Sequence, residues 1–244
     1  MNDAAGEFHE ARPPSRESNP FSTCWTRPGA LDWAPSPSED VALIVDRLRQ
    51  ADWRGQIVGP HGSGKSTLLH ALVEPLRQLG RHPRRYDVTD ATEVRPGELL
   101  LVEAFERAPL ATQRRLVRSW RSAGVGFVVT THSRWRNGWR PLRVIASPRP
   151  TASLVATLFA QLTTRVATPV TLEDALDSFA SRGTDLRRVW FDLYNLHEQR
   201  TRDDRTSEVV ATYWERPVGL QGSDSSCSSI RRLPMRGDAV AGVQ

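Results

Sequence analysis

Apolar residues in this chain follow two kinds of pattern, and the change from one to the other divides the sequence. Up to about residue 150, short continuous apolar runs alternate with segments of helical period. Gly55-Gln56-Ile57-Val58, Glu98-Leu99-Leu100-Leu101-Val102-Glu103, Gly126-Phe127-Val128-Val129-Thr130-Thr131 and Leu142-Arg143-Val144-Ile145 read as short strands. Runs apolar at successive positions need cover on both faces, as in a parallel sheet. Arg84-Arg85-Tyr86-Asp87-Val88 is a candidate edge strand. Only about ten residues separate it from Glu98, few for a parallel crossover that includes a helix. Ser36 is expected to cap a helix with Pro37 at its first position and Glu39 as the returning acid, burying Val41, Ile44, Val45 and Leu48. A second helix is expected from residue 65 to about Leu79, stopped by Gly80. A third, Thr112 to Ala123, turns Leu116, Val117 and Trp120 inward.

Beyond residue 150 the period is helical. Residues 151–164 align Leu154, Leu158, Phe159 and Leu162; Thr171 opens a helix burying Leu172, Ala175, Leu176 and Phe179. Gly183-Thr184 breaks the chain before a helix carrying Leu186, Val189, Trp190, Leu193 and Leu196. Val209 to Trp214 is expected as a short strand or packed extension. The pattern predicts an α/β fold with a mostly parallel sheet and a small C-terminal helical lid. The expected divisions are an extended or partly disordered N-terminal arm (1–35), a core (36–150), the lid and extension (151–216) and a disordered tail (217–244). The arm carries Phe21, Trp25, Leu31 and Trp33 among prolines and is expected to lie on the domain.

Composition narrows this picture modestly. The 244 residues, 39% apolar, suffice for one domain, or a core with a small helical addition. Lys+Arg number 33 against 28 Asp+Glu, nearly all arginine, which favours an anionic partner without identifying one. Cys24 and Cys227 form neither a disulfide framework nor a zinc spacing. No basic-then-apolar leader and no run of 18 apolar residues is present, so the expectation is a cytoplasmic protein with no membrane partner.

The chemistry concentrates after the first strand. Gly59-Pro60-His61-Gly62-Ser63-Gly64-Lys65-Ser66-Thr67 matches G-x-x-x-x-G-K-[ST] between an apolar strand and a helix. Glycines let the backbone N–H groups converge on phosphate oxygens at a helix N-terminus. Lys65 is placed for the β- and γ-phosphates and Ser66 for Mg²⁺, so the motif points to a nucleoside triphosphate. The base of that nucleotide is one neighbour the aromatic arm could have; surface packing is the simpler account. Magnesium on a triphosphate also needs a carboxylate near a strand end, and Glu103 supplies one. Hydrolysis needs a group that orients water. Ala104 follows Glu103 and cannot serve; Glu106 is the nearest replacement, its alternative role being to charge the next helix's first turn. Thr131 and His132 compete as a γ-phosphate sensor, with Thr131 equally at home as a strand residue. Arg134, Arg136, Arg140 and Arg143 are candidates for a neighbouring subunit's phosphate, for nucleic acid with Trp135 and Trp139 as stacking surfaces, or for plain solvation. Arg187 and Arg188 begin a helix, where cations are unfavourable unless an anion is near.

These motifs, from about residue 54 to 200, resemble P-loop ATPases of the AAA+ and related additional-strand class. The resemblance implies ATP as ligand, a Walker A motif at residues 59–66, a Walker B at 99–103 and a first sensor at the end of 128–131. Gly183-Thr184-Asp185-Leu186-Arg187-Arg188 is similar to the Gly-Asn-x-Arg lid sequence, which implies Arg187 as a second sensor, and residues 134–140 occupy the region of an arginine finger. The chain departs from the family in its Walker B Glu, the missing adjacent glutamate, a first sensor that is not Asn and a short span from Lys65 to Glu103. The departures leave ATP binding intact and argue against rapid turnover. No Leu-Ser-Gly-Gly-Gln signature is present, which argues against an ABC-type transporter ATPase. As a whole the chain resembles small bacterial ATP-binding proteins that consist of little more than this domain. The expected function is an Mg²⁺-dependent ATP-binding protein with slow hydrolysis, coupling nucleotide state to lid closure and to a protein partner or a second copy of itself. The alternatives are a non-hydrolysing regulator, a small-molecule kinase and a nucleic-acid-binding ATPase.

Overall fold

Five strands form one sheet in the order β2-β3-β4-β1-β5, every neighbouring pair parallel. The computed structural model describes residues 18–31, 33–34, 40–89, 93–136 and 141–214, with side chains to residue 206. The strands are β1 (Arg54–Val58), β2 (His82–Arg85), β3 (Glu98–Val102), β4 (Gly126–Thr131) and β5 (Arg143–Ala146). Parallel strands need cover on both faces, and the alternation along β3 provides for it. Leu99 and Leu101 join one buried cluster with Ile57, Val128 and Ile145, while Leu100 and Val102 join another with Phe127 and Val129. Helices α2 (Val41–Gln50), α3 (Lys65–Ala71) and α4 (Val73–Gln78) pack on the first face; α5 (Leu110–Ser122) packs on the second through Val117 and Trp120. This is a P-loop NTPase-like α/β architecture, with β4 seated between β1 and β3.

Several expected boundaries shift for local reasons. Helix α2 begins at Val41, where the Asp40 carboxylate accepts from Ala42 N, so Asp40 rather than Ser36 is its cap. Ser36, Pro37 and Glu39 lie outside the described residues. The single helix expected after the glycine-rich loop is two segments that part at Leu72. Pro75 has no N–H to donate to Ala71 four residues back, so the ladder is interrupted there. Gly80 then ends α4 in a left-handed conformation, with Arg81 N donating to Leu76 O. Strand β2 lies earlier than expected, and Pro83 is tolerated in it because β2 is an edge. Its parallel link to β3 contains no helix among the described residues; Arg84 instead reaches Glu98 and the Glu93 carbonyl across it.

The lid comprises α6 (Ala152–Thr163), α7 (Leu172–Arg182) and α8 (Leu186–Trp214). Val155, Leu158, Phe159, Leu162, Val189, Trp190 and Leu193 form its core. The arm enters this core. Phe21, 2% exposed, stacks on Phe159 and Trp190, and Asn19 donates to Tyr194 O and Glu198. It is not simply extended, because Ser22 and Thr23 start a short helix, α1 (Thr23–Thr26). Val209 to Trp214, expected as strand or extension, are helical: no proline or glycine interrupts the chain between Gly183 and Pro217. The chain from Met1 to Asp204 is one compact unit and Arg205 to Gln244 a second, of which the described part is helix.

Polar ties brace the lid. Thr171 and Asp174 form a capping box, and Arg200 of α8 makes a two-pronged contact to the Asp174 carboxylate at 2.6 and 2.9 Å. That contact, with the Thr171 bonds, holds the Asp174 carboxyl at about 2. A carboxyl depressed in the folded state contributes stability above its ordinary range that is lost on acidification through the folded value. Two results are expected from urea unfolding. Thr171→Ala lowers stability by about 1 kcal/mol at neutral pH. Wild-type stability falls as pH drops from about 4 toward about 2, a dependence that Asp174→Asn reduces.

Candidate functional site

Parallel alignment places the ends of β1, β3 and β4 side by side, and the candidate residues sit in the turns that leave them. Gly59 N donates to Thr131 O, tying the start of the glycine-rich loop to the end of β4. Gly62 and Gly64 have φ of 67° and 91°, left-handed values that a side chain disfavours. Gly64 then becomes the residue before α3. Within the loop, the Lys65 ammonium donates to the Gly59 and Pro60 carbonyls at 2.7 and 2.6 Å. Burial lowers the Lys65 pKa, and the Arg187 charge lowers it further; Glu106 and Asp185 raise it. Ser63 is 3% exposed and its hydroxyl has no hydrogen-bond partner. His61 and Pro60 are exposed, and Thr67 is half-buried behind Ser66.

The strongest link joins loop and acid. Ser66 Oγ donates to Glu103 Oε2 at 2.9 Å, while Arg85, at the end of β2, pairs with the other carboxylate oxygen. A hydroxyl and a carboxylate this close are hard oxygen donors of the kind Mg²⁺ takes alongside phosphate oxygens, so these residues fit that ion. Arg85 escaped the sequence reading. The signal for it was the parallel register that sets Arg85 opposite Leu101, two residues before Glu103.

After Glu103 the chain turns sharply. Ala104 takes φ of 49°, and its N–H donates to Thr130 Oγ1 at 2.8 Å. That turn starts a 3₁₀ segment (Phe105–Arg107) whose Phe105 is buried. The segment brings Glu106 to His132, with Nε2 3.0 Å from Oε1. Neither Glu106 oxygen completes a well-aligned hydrogen bond, although both are shielded from solvent; the pair becomes ionic only when the imidazole is protonated. The His61 ring stands edge-on to His132, centroids 3.7 Å apart. Burial lowers the His132 pKa, Glu106 opposes that, and the charges of Lys65, His61 and Arg107 add to it. His132, Glu106, His61 and Lys65 are therefore one electrostatic cluster. Thr131 is not part of it. Its hydroxyl lies 3.5 Å from Gln56 Oε1 in the interior, because successive strand residues face opposite ways.

Gln56 explains the Arg/Trp loop. Its buried amide accepts from Trp135 N and donates to Leu142 O and Trp135 O. A glutamine inside an apolar strand must find such partners, and that oddity was visible in the sequence. Trp135 is buried, its indole N–H bonded to Gln113 of α5, so it is no exposed stacking surface. Trp139 and Arg140 lie outside the described residues; Arg134, Arg136 and Arg143 are exposed.

The lid meets the loop at its first turn. Leu186 N donates to Gly62 O at 3.3 Å, and a Cβ built on Gly62 would stand 2.0 Å from Asp185 Oδ1. Arg187 is exposed, near enough to Lys65 for its charge to be felt there. From the arm, Trp33 lies against Gly64.

No protein-family model matches this chain, and no curated relative matches it. Domain III of the replication initiation protein DnaA from Thermotoga maritima is similar in fold, with TM-score 0.48 and 12% identity over 64% of this chain and 82% of that one. AMPPCP-bound DnaA from Aquifex aeolicus gives 0.47 and 12% over 79% and 76%. NtrX from Brucella abortus in complex with ATP gives 0.49 and 15% over 68% of this chain and half of that one.

The Gly62–Asp185 contact makes a sharp prediction. Gly80 has a similar φ, 70°, but open space where a Cβ would go. Gly80→Ala is expected to cost about 1–2 kcal/mol for the left-handed backbone alone. Gly62→Ala is expected to cost more, with part of the excess recovered by adding Asp185→Ala, as read from thermal and urea unfolding of these variants and of Asp185→Ala alone. The remainder reflects the Asp185 Cα, which a Cβ on Gly62 would also approach to 2.9 Å.

Proposed function

We propose that the chain binds ATP with Mg²⁺ in the loop at residues 59–67 and hydrolyses it slowly. The observation that carries this reading is the 2.9 Å contact between Ser66 Oγ and Glu103 Oε2, beside the Lys65 ammonium held in the loop. A hydroxyl, a strand-end carboxylate and a lysine at one glycine-rich loop serve a triphosphate and its cation together. Ser66 and Glu103 would hold Mg²⁺, which when bound neutralises charge on the phosphate oxygens. The loop's N–H groups and Lys65 orient the phosphates, and Arg187 completes the cationic surround from the lid.

His132 and Glu106 take the role that the residue after Glu103 cannot. Nε2 faces Glu106, which leaves Nδ1 to accept the proton of the attacking water while its oxygen bonds to the γ-phosphorus. The bond from that phosphorus to the bridging oxygen breaks and ADP keeps the electron pair. Glu106 stabilises the imidazolium. Contact of Asp185 and Leu186 with Gly62 makes the lid sensitive to the loop's conformation, and the seated lid is the surface that a protein partner or second copy would read. Among the described residues, no helix is long and apolar enough to cross a membrane.

A non-hydrolysing regulator is the second reading, favoured by Ala104 and by the engagement of both Glu103 oxygens. Single-turnover phosphate release separates the two. Lys65→Ala is expected to abolish ATP binding by calorimetry, and unchanged affinity would sink the proposal. Ser66→Ala and Glu103→Gln are expected to remove the Mg²⁺ dependence of binding. His132→Ala is expected to slow release on the order of 100-fold with affinity retained. Because the base must be neutral and burial lowers its pKa, the wild-type rate is expected to fall with acidification below the ordinary histidine range. Release independent of His132 and of pH there would remove it from the mechanism.

A further inference from the structure

Helix α5 carries four arginines, Arg114, Arg115, Arg118 and Arg121, and no acidic residue. Its inward face is Gln113, Val117 and Trp120, at i, i+4 and i+7. Arg115 and Arg118 occupy the opposite stripe and are exposed, while Arg114, also exposed, and the half-buried Arg121 flank the inward face. The other exposed helices differ. On α7 and α8, Arg182 is paired with Asp192, Arg188 with Asp185 and Arg200 with Asp174. No such ion pair involves Arg115 or Arg118 among the described residues. The adjoining loop adds charge of the same sign. The bond from Trp135 to Gln113 anchors it to α5, and Arg134 and Arg136 flank that tryptophan, both exposed. The exposed charges of Arg115, Arg118, Arg134 and Arg136 make a field of one sign, which attracts anions.

We infer that this face binds the phosphate backbone of nucleic acid without reading its sequence. Three features select that partner. The outward stripe between the arginines holds Ala111, Ser119 and Ser122, and the one large apolar side chain exposed on this helix, Leu110 in its first turn, is too little to anchor a protein or enter a membrane. The cations are guanidinium groups, whose fork matches phosphate oxygens. Trp135 is buried, so among the described residues of this loop no ring is offered on which bases stack. The inference stands apart from ATP binding and uses none of the phosphate loop.

The test is fluorescence anisotropy of the full chain with a labelled duplex and a labelled single strand of about 20 nucleotides, from about 25 to 200 mM salt. Binding of either at low salt is expected, with a slope of log K against log salt of about −3 to −5, the release expected for about four to five neutralised phosphates. Arg115→Glu/Arg118→Glu is expected to weaken binding at least about 10-fold and to flatten the slope by about two. Its circular dichroism and ATP affinity should match wild type. Arg49→Glu/Arg77→Glu changes net charge equally on α2 and α4 and is expected to leave most of the affinity. No binding at about 25 mM salt, equal loss in both double variants, or tighter binding to anionic phospholipid vesicles than to nucleic acid would each overturn the inference.

Discussion

Parallel pairing of β1 with β4, and of β4 with β3, is the constraint on which the rest of the molecule depends. It sends three strands out of the sheet at one edge, so the glycine-rich loop, the turn after Glu103 and the turn after Thr131 share a small volume. The Ser66–Glu103 hydrogen bond closes that volume between residues 37 positions apart. Neither group has a local reason to meet the other; the crossovers bring them together. The same edge sets Glu106 against His132, because the left-handed Ala104 turns the chain back beneath β4 as soon as β3 ends. A non-glycine residue held in that conformation beside a candidate site is strain that the surrounding packing maintains.

The lid and the arm depend on this edge in turn. The arm buries Phe21 between two lid rings and sets Trp33 on Gly64, so one short segment touches both lid core and glycine-rich loop. The lid touches the same loop at Gly62 through Asp185 and Leu186. Gly62 is therefore constrained twice, by its left-handed backbone and by a carboxylate standing where its side chain would be. That carboxylate raises the Lys65 pKa while Arg187, two residues on, lowers it. Charges of both signs from one helix turn thus reach the same ammonium, and a displacement of that turn would change the loop's field.

Much of this was legible in the chain. Apolar runs at 55–58, 98–102 and 126–131 mark covered strands because only a parallel sheet buries successive residues on both faces. The glycine-lysine-serine spacing marks the turn between β1 and α3 as a loop whose backbone N–H groups and one ammonium at a helix start would suit phosphate. The failures have physical causes. Ser36 lost the cap of α2 to Asp40, since either side chain can accept from a first-turn N–H and local sequence does not rank them. The helix break near Leu72 follows from Pro75, a residue visible but unused. Val209 to Trp214 read as β-branched and aromatic, yet nothing in the chain stops α8 before them.

What the sequence determined by itself was element type and the place of the glycine-rich loop between β1 and α3, because periodicity and local hydrogen-bonding capacity are properties of neighbours along the chain. Tertiary structure alone decided which distant groups became partners. Thr131 and His132 were equal candidates until strand alternation turned the hydroxyl toward Gln56 and left the imidazole with Glu106. Trp135 read as a stacking surface until Gln56 and Gln113 drew it into the core. Arg85 acquired a role only when β2 paired beside β3. Each outcome rests on strand order and register, which are set by burying two apolar faces at once and cannot be read from any one segment.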